Sequence, residues 1–395
     1  MSSGRGQRLP RVLHVSEAFG GGVQEMVTTL SERLEAADYP VAIAYGRRPE
    51  TPVDVRERVA AGVELFSLGW ERRTLPEQVR ACRQLRRLVR TWRPDVVHLH
   101  SSFAGLAGAV ALAGLGVPTI YTPHGYSFTM ADQSAARRRA FRLAERLTAR
   151  RATAVGTVSE AEAAAARTVA PAAKVRIVHN GIPELDDLGA GQPLPDRPGT
   201  PRVIAMGRVT PAHLPLESAR LLAGVADLAE VEWVGGAGAG EIPVSTITDQ
   251  GVPISGWVDR AGALAKLAEA TVLLHWTGWD GLPLSVLEAM ANDVIVIGHD
   301  IPAVREIVGP GQVRETETEA RQLLRHTLED PGLREAMLME QRRRRPAYGA
   351  ARMTEGWMEL YASLLEAPAD RPAAPIPSAR AGDDAVAHAV AGRGR

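Results

Sequence analysis

Asp280 and Glu288, with the loop between them, carry the clearest chemistry in this sequence. They lie in the stretch His275 to Gly298, HWTGWDGLPLSVLEAMANDVIVIG. The apolar run Val272 to Trp276 overlaps its start and reads as a buried strand. Thr277 to Leu282 is a polar turn containing glycine. Pro283 then opens an apolar-faced helix, in a first-turn position that suits proline. Val294 to Ile297 closes the unit as a second buried strand. A helix N-terminus offers free N–H groups and partial positive charge to an anion. A carboxylate one turn further in can accept hydrogen bonds from a vicinal diol. Together these features suit a sugar nucleotide. Taken alone, the same unit is also a capped helix with one solvated glutamate.

Other residues with chemical potential stand at strand ends. Gly20-Gly21-Gly22 follows the strand Arg11 to Ser16 and precedes a helix from Val23 to about Ala36. Such glycines let a ligand approach the backbone. The spacing is not GxGxxG, so a nicotinamide cofactor has weak support. His98 and His100 alternate on the strand Asp95 to His100 and point the same way. Acidic and sulfur partners at ligand spacing are missing from their neighbourhood, which argues against a metal. His124 follows the strand Thr119 to Thr122, where α/β sheets place ligand contacts. Arg208 follows the strand Val203 to Met206 in the same way, and Val252 to Gly256 reads as a strand leading to Trp257 and Val258.

The elements around these residues alternate strand and helix twice. The first series runs from Arg11 to Val178. A stretch rich in Pro, Gly and Asp, Asp186 to Pro201, reads as a linker. The second series starts at Val203 and ends in an amphipathic segment, Tyr348 to Glu366. After Ala367 the composition is mostly Ala, Pro, Gly and Arg, which predicts disorder.

Composition narrows the function classes. The 395 residues carry 46 Lys and Arg against 46 Asp and Glu, so the global charge gives no reason to expect nucleic acid. The single cysteine, Cys82, forbids an intrachain disulfide and fits a reducing cytoplasm. The first residues contain no long apolar run of the signal-peptide kind. Ser101 to Met130 lacks charged residues, but Gly114, Gly116 and Pro118 divide it into pieces too short to span a bilayer. A basic stretch, Ser134 to Arg151, reads first as a solvated helix face. Its second reading is a contact with anionic lipid or a phosphate-bearing acceptor.

The order of these motifs resembles the retaining GT-B glycosyltransferases of group 1 (family 4). The match rests on Gly20-Gly21-Gly22, Pro94-Asp95-Val96-Val97-His98, Thr122-Pro123-His124-Gly125, Thr157-Val158-Ser159, His179-Asn180-Gly181-Ile182, Gly207-Arg208, Gly256-Trp257-Val258 and the Asp280–Glu288 helix. The resemblance spans Arg11 to about Glu366, and Thr122 to Met130 looks most like members that build exopolysaccharide or capsule. It implies an α/β fold of two facing Rossmann-like domains, residues 1–185 on the acceptor side and 202–346 on the nucleotide-sugar side. Residues 186–201 would link them, 347–366 would form a helix crossing back to the first domain, and 367–395 a disordered tail.

By the same resemblance, Glu288 holds the ribose diol and Arg208 pairs with the diphosphate. Asp280 and the backbone of Gly281, Leu282 and Pro283 meet donor-sugar hydroxyls and the diphosphate. Val258 lies near the base, Gly21 and Gly22 let the backbone approach the phosphate, and His124 faces the sugar. His124, Arg208 and Asp280 are the implied catalytic set. The implied partners are a nucleotide-sugar donor and a saccharide or lipid-linked acceptor, with a cytoplasmic location at or near the inner membrane face. No metal or cofactor is implied, and the chain has no DxD motif. The sequence departs from the pattern twice. Asp280 replaces the usual glutamate, and His213 stands where a diphosphate-binding lysine is expected. A diphosphate beside His213 would favour imidazolium, so donor affinity is expected to weaken as pH rises above about 7. Three alternatives remain at this point: transfer to a small natural-product acceptor, a catalytically silent nucleotide-sugar-binding protein, and a nucleotide-sugar epimerase of the same fold.

Overall fold

The computed structural model describes residues 8–366, apart from 50, 130–132, 187, 189–194, 196, 198, 239 and 240. The C-terminal tail and most of the middle of the linker therefore lie outside the described residues.

Short apolar runs build two parallel sheets. The first contains β1 (Val12–Ser16), β2 (Val41–Tyr45), β3 (Glu64–Ser67), β4 (Val96–His100), β5 (Thr119–Thr122), β6 (Ala154–Thr157) and β7 (Val175–Ile177), in the order β3-β2-β1-β4-β5-β6-β7. The second contains β8 (Arg202–Met206), β9 (Glu230–Val234), β10 (Val272–His275), β11 (Ile295–His299) and β12 (Val313–Arg314), in the order β12-β11-β10-β8-β9. Every neighbouring pair is parallel. A parallel sheet is covered on both faces, which is why its central strands read as continuous apolar runs.

Each sheet has a switch point, where strand order reverses and a crevice opens at the carboxyl ends. In the first sheet it lies between β1 and β4, below Gly20 and His100. In the second it lies between β8 and β10, below Gly207 and the loop after His275. The helix Ala350–Glu366 returns to the first sheet and buries Trp357 and Tyr361 completely, beside Val12, Ile43 and Ile120. Rings of this size remove about 150–250 Å² each from water, worth roughly 4–6 kcal/mol apiece at ~25 cal/mol per Å². The fold is the one expected: two Rossmann-like halves with a helix crossing back.

Some local expectations fail for identifiable reasons. Val252 to Gly256 does not form a ladder strand, and only single bridges at Ile254 and Gly256 reach β9 and its following loop. Pro253 sits in the middle of that run with no N–H to give. The helix Pro331–Arg344 was not anticipated, because its arginine run hides any apolar stripe. Its start is nonetheless written in the chain: the Asp330 carboxylate accepts from the N–H groups of Gly332 and Leu333, and Pro331 takes the first turn. Ser101 to Thr129 resolves into the helix Ser102–Ala111, the strand β5 and a short turn, with Met130 outside the described residues. No helix among the described residues is long and apolar enough to cross a membrane.

Candidate active site

The two switch points face each other across a cleft of about 540 Å³. The first half contributes Gly21, Gly22 and His124 to its wall. The second contributes Arg208, His213, Val258, Asp280, Gly281, Leu282, Pro283 and Glu288. The residues assigned to the donor site in the sequence are thus gathered in one place, whereas His98 and His100 lie buried outside the cleft.

The loop after β10 touches the first domain closely. A Cβ built on Gly281 would stand 3.1 Å from the Gly125 nitrogen and 3.2 Å from the His124 carbonyl carbon. Ser159 Oγ donates to the Gly281 carbonyl at 2.8 Å. One Cβ built on Gly22 would lie 3.7 Å from Leu284. The helix itself runs Leu284–Ala291 with Pro283 as its N-cap, one position earlier than the first-turn place expected. The reason is its backbone: Pro283 has ψ 120°, which is extended and not helical. On the other side of the cleft the helix Gly21–Ala36 starts at Gly21, earlier than Val23, and Gly21 has φ +56°.

Glu288 is buried, and its Oε1 lies 2.7 Å from Arg260 Nη1. Arg260 also reaches Glu25 of the first domain at 3.4 Å. Burial raises the Glu288 carboxyl above its ordinary value, opposed by the guanidinium. Arg208 is half exposed and pairs with Glu241 at 3.1 Å. Asp280 turns Oδ1 onto the N–H of Gly281 at 2.7 Å, and its Oδ2 lies 3.6 Å from His275 Nε2.

His213 sits where its charged form is disfavoured. Burial, first, and the neighbouring His275 hold its imidazole below the ordinary value, while Asp280 pulls the other way. Its Nδ1 shares a hydrogen bond of 3.1 Å with Thr210 Oγ1. It is therefore neutral at pH 7 before any diphosphate arrives.

His124 stands in the left-handed region, φ +54°. For a residue other than glycine this is uncommon and concentrates at functional sites. Its turn is held by Glu162, whose carboxylate accepts from Gly125 N–H at 2.5 Å and Val158 N–H at 2.8 Å. Burial pushes the Glu162 carboxyl up to about 7 despite those two bonds.

Several of these residues were missed in the sequence. Glu162 had a signal, since Ser159-x-x-Glu162 is a capping-box pattern. Ser159 does accept from the Glu162 N–H at 3.0 Å, but the carboxylate reaches on to Gly125. Trp257, 61 % exposed, lines the cleft beside Val258. An exposed tryptophan next to a strand-end motif was a readable cue. Arg260 and Glu241 gave no local cue. His14 gave none either, yet it joins His98 and His100 in a buried cluster.

Comparison with known proteins now decides the family. Residues 21–181 match the glycosyl transferase 4-like domain, and residues 196–328 match the glycosyl transferases group 1 domain. The chain belongs to the group 1 glycosyltransferases. Solved structures share the GT-B fold over nearly the whole chain. Sucrose-phosphate synthase of Thermosynechococcus elongatus is 16% identical, covers 90% of this chain and 99% of its own, and superposes with TM-score 0.76. HepE of Anabaena, solved with UDP-glucose, is 16% identical over 90% of this chain and 100% of its own, with TM-score 0.70. An uncharacterized 41.2 kDa protein in the cps region of Klebsiella pneumoniae is 23% identical over 312 residues, which are 76% of this chain and 84% of that protein.

Proposed function

We propose that this glycosyltransferase moves a sugar from a UDP-sugar to a saccharide or lipid-linked acceptor in polysaccharide assembly, with retention at the anomeric carbon. The observation that carries the proposal is the single cleft between two sheet switch points. It brings a buried carboxylate, an arginine and two helix N-termini to one place. UDP is favoured because HepE was solved with UDP-glucose. The polysaccharide setting is favoured by the cps-region relative.

In this reading Glu288 accepts from both ribose hydroxyls, with Arg260 opposing the protonation that burial favours. Arg208 leaves Glu241 for the diphosphate, a planar charge-assisted contact. His213 supplies one hydrogen bond there, and a positive charge only once the diphosphate has raised its pKa. The free N–H groups at the start of Leu284–Ala291 and at Gly21 and Gly22 add partial positive charge. Departure of the nucleoside diphosphate is the step these groups assist, by stabilising charge that develops on the leaving oxygen. Protein cations then do this work without a metal. His124 and Asp280 orient the sugar, and the acceptor attacks from the face the diphosphate leaves. The base lies against Val258 with Trp257 beside it.

The basic helix Ala135–Arg151 exposes Leu143 and Leu147 among its arginines. That favours a lipid-linked acceptor met at the inner membrane face by a cytoplasmic enzyme. The test is incubation with UDP-, GDP-, ADP- and dTDP-sugars, with and without a lipid-linked acceptor. Slow hydrolysis of one donor, accelerated transfer with acceptor and an unchanged anomeric configuration are expected. Tight binding with neither hydrolysis nor transfer would replace the proposal with a silent nucleotide-sugar-binding protein. Isomerised sugar without acceptor would replace it with an epimerase.

A further inference from the structure

His124 is the last ring of a chain of imidazoles that begins under the sheet. His14 on β1 and His100 on β4 are fully buried on the face covered by the helices Gly21–Ala36 and Ala350–Glu366. His14 Nδ1 lies 3.0 Å from His100 Nε2. His100 Nδ1 lies 3.0 Å from His124 Nε2. The rings of each pair stack, with centroids 5.2 Å apart in both. His100 therefore uses both nitrogens, one toward each neighbour, and only His124 reaches the cleft.

A neutral imidazole has one N–H and one lone pair. Because the middle ring uses both, the two hydrogen bonds must point the same way. If they point inward, His124 Nε2–H donates to His100, His100 Nε2–H donates to His14, and His14 must carry its proton on Nε2. That atom is buried and has no hydrogen-bond partner among the described residues. If they point outward, His14 Nδ1–H donates to His100 Nε2, and His100 Nδ1–H donates to His124 Nε2. The unpartnered atom of His14 is then a bare lone pair. Orphaned buried N–H groups are the rarer and costlier case. We propose that His14 and His100 are positioning residues that hold His124 in one tautomer, with Nε2 accepting inside the protein and Nδ1–H facing the cleft.

Burial supports neutrality throughout the chain. It pushes His14 and His124 down to about 3 and holds His100 well below its ordinary value, with the neighbouring imidazoles adding to the effect on His100. The left-handed backbone of His124, pinned by Glu162 through Gly125, fixes where the ring enters the chain. A metal among His14, His98 and His100 is the competing use of these rings. His98 is already engaged on both sides, with Tyr361 Oη at 2.9 Å on Nδ1 and Thr122 Oγ1 at 2.8 Å on Nε2. A metal would have to break one of these bonds and one of the two bonds of His100, so the chain of hydrogen bonds is favoured.

The role assigned to Nδ1–H rests on the cleft being the donor-sugar site, but the tautomer does not. The test is a long-range ¹H–¹⁵N spectrum of the full-length protein labelled at histidine, free and with UDP. His124, His100 and His14 should each show a protonated Nδ1 and an unprotonated Nε2. A protonated Nε2 on His124, an averaged pair, or a stoichiometric zinc ion in protein purified without chelator would overturn the proposal. Two variants add a kinetic readout. In His14→Asn the amide nitrogen takes the place of Nδ1 and can still donate, whereas His14→Leu cannot. Transfer kcat should fall about tenfold or more in His14→Leu, with donor KM moving less than about threefold, and Asn should rescue most of the loss. If Leu, the better core residue, retains more kcat than Asn, the role of His14 is packing alone. Failure to find any transfer removes the proposed function and leaves the spectrum to decide the tautomer.

Discussion

Arg260 Nη1 lies 2.7 Å from Glu288 Oε1, at the point where the two domains meet. The guanidinium also touches Glu25 across the cleft at 3.4 Å, so one cation serves a carboxylate from each half. Glu288 is the more deeply buried of the two carboxylates and the one placed to accept from a diol. Replacing it removes a buried, charged acceptor, and hydrogen bonds to charged groups are worth about 1.5–3 kcal/mol each. Glu288→Ala should weaken binding of the cognate nucleotide roughly 10- to 100-fold, read by titration calorimetry. Unchanged affinity for UDP, with affinity for UMP and uridine also unchanged, would place the ribose elsewhere.

His213 changes the pH expectation. With its pKa below the ordinary value in the free protein and raised by a bound diphosphate, the window has a defined sense. Below the free pKa both states carry imidazolium and affinity is highest. Affinity falls as pH rises between the free and bound values and then levels. The decline therefore begins below about 6.5, earlier than the sequence suggested. Donor Kd measured by calorimetry from acid to neutral pH should show it, and His213→Gln should flatten it. A wild-type Kd independent of pH over that range would remove His213 from the phosphate site.

Much of this site was legible because strand ends are legible. Gly207-Arg208 and Thr122-Pro123-His124 each follow a short apolar run, and ligand contacts in α/β sheets gather at such carboxyl ends. Asp280 and Glu288 stood out because a polar loop interrupted two buried strands. What stayed hidden depends on which strands become neighbours. His14 meets His98 only because β1 pairs with β4, across some eighty intervening residues. Arg260 and Glu25 meet only when the domains face each other. The type of His213 is legible in the sequence, but the burial that disfavours its charged form is not.

Gly281 marks where the domains come closest. A methyl at this position would press on the backbone of His124 and Gly125, which cannot move aside as a flexible side chain would. Gly281→Ala should therefore leave thermal stability within a few degrees, because each half keeps its own core, and lower kcat about tenfold or more by a sub-ångström misplacement of His124 against the donor loop. Thermal unfolding and steady-state kinetics on the same sample check both parts. Full activity would mean that the domains are free to separate here during turnover.

Trp257 offers an exposed face beside Val258 at the cleft wall. Stacking of a base on an aromatic ring is worth about 1–3 kcal/mol by alanine substitution. Trp257→Ala should weaken nucleotide binding by roughly that amount and change the ranking of UDP, GDP and ADP. Trp257→Phe should keep most of the affinity. Fluorescence quenching on nucleotide addition, lost in Trp257→Phe, gives an independent readout. No quenching and no change in ranking would leave the base to Val258 alone.

Glu162 sets a pH limit on the His124 turn. Its folded pKa, about 7, exceeds the ordinary carboxyl value of 4.5, so folding favours its protonated form. The sign follows from linkage: the stability associated with this group is fully present below 4.5 and is lost as pH rises to about 7. The loss is of order 3 kcal/mol. Above pH 7 the buried carboxylate is ionised and serves two backbone donors, Gly125 and Val158, one on each oxygen, whereas a neutral carboxyl offers one of them only its weaker hydroxyl oxygen. Holding His124 in a left-handed conformation thus works against stability at neutral pH. Glu162→Gln removes the titration and leaves one acceptor for two N–H groups. Denaturant unfolding between about pH 4.5 and 8 should show a decline in the wild type that the variant lacks. The variant should also lose kcat at pH 8, because the turn that aims His124 has lost an anchor. A parallel pH dependence in both proteins would assign the titration to another group.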